Sequence, residues 1–233
     1  MRLYLIRHAD PDYERDSITP EGEAEAGALA EHLEDEGITH LYASPLGRAQ
    51  ATARIVAQRI GRKIRTEAWT AEWGHLRLAT RHGERCMWDL DGEELRTGQL
   101  AQDPLGWAAA EPLHSPDLQK TWDEMVRDSD AFIARHGYER VDARYRIVKE
   151  NSDKIALVCH GGFGLSWLAH VLGVPLPIMW AGFWLAPSSV SVVLFDQRSD
   201  QYAVPRALCI GSTAHLYAAG QPVKPRGIKA NFV

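Results

Sequence analysis

A chain of 233 residues with 45% hydrophobic content is long enough to bury a core of its own. Its formal charge of −5 denies it the broad basic face that nucleic acid or an anionic membrane requires, so an anionic ligand must be held by a local basic pocket. Cys86, Cys159 and Cys209 are too few for a disulfide framework and lack C-x-x-C spacing, which implies a reducing compartment.

The first predicted strand, Leu3 to Ile6, stops on Arg7 and His8, two side chains poorly suited to burial. It starts almost at Met1, leaving no room for a basic leader and an apolar signal core, so a cytoplasmic location is expected. Thr19-Pro20 then marks a helix start, an N-cap followed by proline at the first helical position, and Gly37 its left-handed end. A strand over Ile38 to Ala43 leads to a second start at Ser44-Pro45, with an end at Gly61, and to a strand over Lys63 to Thr66. The stretch from Trp73 to His114 has weak periodicity and a basic cluster, Arg77, Arg81, His82 and Arg85, and reads as an insertion over the sheet edge. A third helix runs from Ser115-Pro116 to Gly137, and a strand over Ile155 to Cys159 ends on His160, where Gly161 opens a helix.

Residues 174 to 195 carry no charge and are long enough to span a membrane. Pro175, Pro177 and Pro187 interrupt them, and "SVSVVLF" reads as a buried strand, so core is the expectation. The tail "GQPVKPRGIKANFV" has three bases and no acids and is expected to be extended. Alternating strands and helices predict one α/β domain over 1–233, a three-layer α/β/α sandwich with a mostly parallel central sheet and a cap-like insertion at about 73–114. In such sheets ligands sit at the carboxyl ends of strands, which is where His8 and His160 fall.

Phosphoryl transfer would explain this composition. A neutral imidazole is the nucleophile, and arginine forks, here Arg7 and Arg48, hold the equatorial oxygens bidentately. Their positive charge lowers the pKa of His8 and His160 and keeps both neutral. The leaving alkoxide needs a proton, and Glu72 in "WTAEWGHL", among apolar neighbours, is the best acid. Gly161, in "GGFG", allows backbone to approach phosphate at a helix N-terminus. Trp73 and Trp88 are the expected pocket aromatics, whereas Trp122, Trp167, Trp180 and Trp184 lie on core-like patterns, and Cys159 ends an apolar run and is inert.

The segments "LIRHAD", "SITPEGEAEAGALA", "ASPLGRAQATARIVA", "AEWGHL", "ALVCHGGFG" and "PSSVSVVLF" resemble, in order, those of the histidine phosphatase, or phosphoglycerate-mutase-like, superfamily. The resemblance implies a phosphoric monoester hydrolase of the histidine acid phosphatase type. His8 is then the residue phosphorylated in turnover, Arg7, Arg48 and His160 grip the phosphoryl group, and Glu72 serves as acid and then base. No metal and no cofactor are implied, and H-E-x-x-H and cysteine clusters are absent. The partners implied are a small phosphorylated metabolite as substrate and inorganic phosphate as product, with homo-oligomers left open.

The chain departs from the pattern at Ala9, where the family usually has glycine, at Glu14, where mutases carry asparagine, and at Trp73, Gly74 and His75, which replace the mutases' Arg-His-Tyr-Gly. Loss of these bisphosphoglycerate-holding groups favours hydrolysis over transfer to a second hydroxyl. The run "RHGER" at 81 to 85 is the expected source of substitute cations, which keeps a cofactor-dependent phosphoglycerate mutase as the alternative, and Arg77, Arg81 and Trp73 are the insertion residues expected to touch substrate. A non-catalytic module that binds a phosphate ligand or a partner is the third reading.

Overall fold

The computed structural model describes residues 1–81 and 83–228; His82 of the basic cluster and residues 229–233 of the tail lie outside the described residues. The strands of the central sheet are β1 (Arg2–Arg7), β2 (His40–Ala43), β3 (Ile64–Thr66), β4 (Tyr138–Val141), β5 (Arg144–Ile147), β6 (Lys154–Cys159), β7 (Val190–Gln197) and β8 (Tyr202–Ser212). Among the described residues they form one eight-stranded sheet in the order β3-β2-β6-β1-β7-β8-β5-β4. β1, β6, β2 and β3 pair in parallel and the remainder add antiparallel, so six of the eight strands run one way and only β7 and β5 oppose them. The sheet is therefore mixed and mostly parallel in direction. β4 and β5, whose short sequences "YERV" and "RYRI" are half charged, and β8, with Pro205 inside it, escaped the sequence reading.

The period of two along each strand sorts side chains into two layers. Leu3 and Leu5 of β1 and Ile155 and Leu157 of β6 join Phe132 and Trp167 on one face, under helices α3 (Pro116–Arg135) and α4 (Gly161–Leu172). Tyr4, Ile6, Ala156 and Val158 join Leu29, Leu33, Ala53 and Val56 on the other, under α1 (Pro20–Glu36) and α2 (Gly47–Ile60). Full burial of each leucine or isoleucine contributes about 1.5–3 kcal/mol, so both faces of β1 anchor the strand end that carries Arg7 and His8.

Two of the three expected helix starts form as read. Thr19 Oγ1 accepts from the Gly22 N–H at 3.0 Å and Ser115 Oγ from the Leu118 N–H at 3.3 Å, each with proline next in the chain. The second start differs: α2 begins at Gly47, and Leu46 at its cap position makes no side-chain bond. Asp16 does the capping from a distant turn, its Oδ2 accepting from the Gly47 N–H at 2.6 Å. A Cβ at Gly47 would lie 2.0 Å from the Asp16 carbonyl, so only glycine lets the turn approach this closely.

The 73–114 stretch folds into a hairpin, Arg77–Thr80 with Gly83–Cys86, followed by short helices at Gly92–Leu95 and Gly98–Gln102. Leu76, Met87, Leu90, Leu95 and Trp107 bury its underside in the same cluster as Leu3 and Leu5. Residues 174 to 195 hold the short helix α5 (Leu176–Gly182) and the start of β7, and no helix among the described residues is long and apolar enough to cross a membrane. Cys86, Cys159 and Cys209 form no disulfide.

Candidate active site

β1 and β6 lie side by side in parallel, with Arg7 opposite Cys159, so the next residues along, His8 and His160, meet at the carboxyl edge. Their rings are 5.2 Å apart, tilted by 59°, and both are buried. His8 Nδ1–H donates to the Ala9 carbonyl at 2.8 Å, which leaves the lone pair on Nε2, and the Arg48 Nε–H points at that lone pair at 3.3 Å. Burial first, and then Arg7, pull the His8 pKa down to about 3. His160 is pulled well below its ordinary value by burial and then by His8.

Arg7 is buried, donates through Nη1 to the carbonyls of Leu185 and Arg226, and lies against the start of α4, where a Cβ at Gly161 would stand 3.5 Å from its Nε. Arg48 is held by Asp16 at 2.6 Å. Its positive charge in the first turn opposes the helix dipole, and Asp16 is the anion that offsets it. Among the described residues, four buried side-chain polar atoms lack a hydrogen-bond partner, and two of them, Arg7 Nε and His160 Nδ1, belong to the side chains flanking His8. Two unpartnered buried nitrogens beside an unprotonated imidazole nitrogen and the guanidinium that meets it form an arrangement that can hold a tetrahedral oxyanion next to that nitrogen.

Glu72 stands across the opening of α4. Its carboxylate accepts from the N–H groups of Gly162 at 3.1 Å, Phe163 at 2.7 Å and Trp73 at 3.2 Å. Burial raises its pKa and outweighs these bonds and the charge of Arg7, which favour the ionised form. Arg7, His8, Arg48, Glu72 and Gly161 all line one cavity of about 710 Å³.

The expected lining residues from the insertion fare unevenly. Arg77 lines the cavity but is paired with Glu84 at 2.7 Å. Arg81 is absent from the cavity wall: it reaches outward to Asp91 and Glu93, because those carboxylates lie on its own side of the cap. Trp73 is a core residue, 4% exposed, since its backbone turns to Glu72 and its indole faces the apolar underside of the cap. Trp88 does line the cavity, and so does Trp184, which the sequence reading assigned to the core; Trp167 and Trp180 are buried in the core as expected, and Trp180 also borders the cavity.

Several residues of the site went unseen in the sequence. Ser44, read as a helix cap, lies with Oγ 2.7 Å from His160 Nε2. Thr52 Oγ1 accepts the Ala9 N–H at 3.1 Å and so fixes the backbone after His8. The tail, left unplaced by its composition, closes the cavity through Arg226, Gly227 and Ile228, and Arg226 grips Asp10 with two bonds of 2.7 and 3.1 Å. The Asp10 and Asp16 positions, two and eight residues after His8, were the only available signal, carboxylates set close to the basic strand end.

At the opposite, amino edge of the sheet, His40, His136 and Asp153 place ligand atoms within 4.8 Å of one another, a set that could hold a metal ion and that no spacing in the sequence announced. Burial, then His40, lowers the His136 pKa to about 4.

Fold and site together define a three-layer α/β protein with a buried histidine and arginine pocket at the carboxyl edge of its sheet. The chain belongs to the histidine phosphatase superfamily, branch 1, whose family model matches residues 3–205. It is similar in structure to a phosphoserine phosphatase from Entamoeba histolytica solved with 3-phosphoglyceric acid, at TM-score 0.61 and 19% identity over 92% of this chain and 98% of that one. A mycobacterial glucosyl-3-phosphoglycerate phosphatase solved with VO3 matches at TM-score 0.58 and 19% identity over 91% and 99% of the two chains. The alpha-ribazole phosphatase of Shigella flexneri matches at 0.55 and 21% over 91% and 96%. At these identities the likeness is one of fold. In sequence, a probable phosphoglycerate mutase GpmB of Enterobacter sp. (strain 638) is 40% identical over 70 residues, 26% of this chain. The chain spans about a third of the length of such curated relatives, 33% and 35% for the Enterobacter and Yersinia enterocolitica proteins.

Proposed function

We propose that the chain hydrolyses a small phosphomonoester, without need of a metal, through a phosphohistidine on His8. In the first step His8 Nε2 attacks phosphorus, the bond from phosphorus to the alcohol oxygen breaks, and Glu72 gives its proton to that oxygen. In the second, water attacks the phosphohistidine, the Glu72 carboxylate takes the water proton, and the N–P bond breaks to release inorganic phosphate. Arg7, Arg48 and His160 hold the equatorial oxygens, whose charge grows in transit.

One observation carries this reading: His8 Nε2, left unprotonated by the Nδ1 bond to Ala9 and met by the Arg48 guanidinium, sits near the unpartnered nitrogens Arg7 Nε and His160 Nδ1. Hydrolysis is favoured over mutase chemistry because three described arginines of the insertion are already paired, Arg77 with Glu84, Arg81 with Asp91 and Glu93, and Arg85 with Asp91.

The test is turnover of an aryl phosphate in chelator together with acid-labile phosphate on the quenched enzyme. We expect His8→Ala to lose label altogether and activity by at least about 10³-fold, as for other nucleophile deletions. Turnover that survives in His8→Ala, or that vanishes in chelator, would overturn the proposal; phosphate binding with no turnover of any ester would favour the non-catalytic reading.

A further inference from the structure

The cavity that starts at His8 has a volume of about 710 Å³, the size of sites that enclose a whole small molecule rather than a phosphoryl group alone. Away from His8 its apolar wall is Trp88, Leu165, Trp180, Phe183, Leu185 and Ile228, and the acid Asp89 also lines the cavity. This wall is built in. A Cβ at Gly162 would fall 2.4 Å from the Trp88 indole, so the missing side chain lets the cap's tryptophan lie directly on the first turn of α4, beside the phosphoryl position. Trp180 is anchored from behind by its indole N–H, which donates to Ser166 Oγ at 3.1 Å.

The cations at this end of the cavity are committed. Arg77 is paired with Glu84 and Arg226 is clasped by Asp10, so among the described residues each lining arginine outside the His8 cluster already has a carboxylate. A leaving group with its own carboxylate or second phosphate would have to share an arginine already held by a carboxylate, facing Asp89 in the same cavity, or lie unpaired against indole rings.

Resting on the phosphomonoesterase reading above, we propose that the substrate is the phosphate ester of an uncharged, predominantly apolar alcohol, alkyl or aryl, whose body fills the aromatic wall. Hydroxy-acid phosphates such as phosphoglycerate and phosphoserine are then poor substrates.

The test is a series of n-alkyl monophosphates from ethyl to octyl, set against 3-phosphoglycerate and phosphoserine, with phosphohistidine measured throughout. The alkanols share one leaving-group acidity, so differences report binding to the wall. We expect kcat/KM to rise about three- to fourfold per methylene until the wall is covered, the gain of burying one CH₂. The two acids should lie at least about 100-fold below octyl phosphate, and Trp88→Ala should flatten the rise. A flat series, or 3-phosphoglycerate turned over as well as octyl phosphate, overturns the leaving-group assignment while labelled His8 leaves the monoesterase reading intact. No turnover of any ester and no label on His8 overturns both.

Discussion

A carboxyl group that caps a helix is ordinarily an anion, and a histidine between two arginines is ordinarily neutral; at this site burial works against the first and reinforces the second. His8, lowered to about 3, stays an uncharged nucleophile at every pH above that value. Glu72, raised by burial, stays protonated to a higher pH than an exposed carboxyl. Activity on an alkyl ester should therefore hold on the acid side and fall as pH rises through the Glu72 pKa. In Glu72→Gln that alkaline limb should vanish, with kcat/KM on alkyl esters down about 10²–10⁴-fold, the usual range for a general acid. Dinitrophenyl phosphate, whose leaving group departs without a proton, should lose far less. Equal losses on both esters, measured across pH, would remove Glu72 from the acid's role.

Caps and turns place these residues at the scale of the elements. Thr19 and Ser115 both cap helices, yet Thr19 Oγ1 also donates to Asp10 Oδ2 at 2.9 Å, and Asp10 holds Arg226 of the tail. Ser115→Ala should cost about 1 kcal/mol in urea denaturation, the ordinary value of a cap. Thr19→Ala should cost more, about 2 kcal/mol, because a second bond to a charged group goes with it, and it should also raise KM as the tail's wall loosens. Equal costs, with KM unmoved in both, would show that Asp10 holds the tail without help from Thr19. α2 shows why such devices are hard to foresee: Ser-Pro is a sound local start signal, but Asp16 caps the Gly47 N–H from thirty-one residues upstream, while Ser44 Oγ accepts the Leu46 N–H and meets His160.

Across the whole molecule the buried histidines give folding a signed pH dependence. His8 (to about 3), His136 and His215 (both to about 4) have native pKa values below the ordinary 6.5. The unfolded chain therefore binds more protons between about pH 6.5 and 3, and stability falls as pH falls through that window. Glu25 works the other way: burial raises it from 4.5 to about 7, so its contribution is present below 4.5 and lost as pH rises towards 7. Counting His160 with these three, and Glu72 with Glu25, four lowered histidines oppose two raised carboxyls and leave a net acid destabilisation. The urea midpoint at pH 5 should be lower than at pH 7.5, and a midpoint that rises on acidification would contradict the burial of these imidazoles.

The amino-acid sequence by itself determined the parts that depend on near neighbours. The strands that end on Arg7-His8 and on His160, and the helix starts at Thr19-Pro20 and Ser115-Pro116, are written in hydrophobic period and cap chemistry, which act over a few residues. Only the tertiary structure decided which distant groups share a cavity. It brought Arg226 of the tail to Asp10, gave Ser44 to His160, moved Trp73 into the core and set Trp184 on the cavity wall. It also turned Arg81 outward to its own carboxylates. Such pairings depend on where separate chain segments cross and which way each side chain faces, and burial and charge act across that space without leaving a period in the sequence.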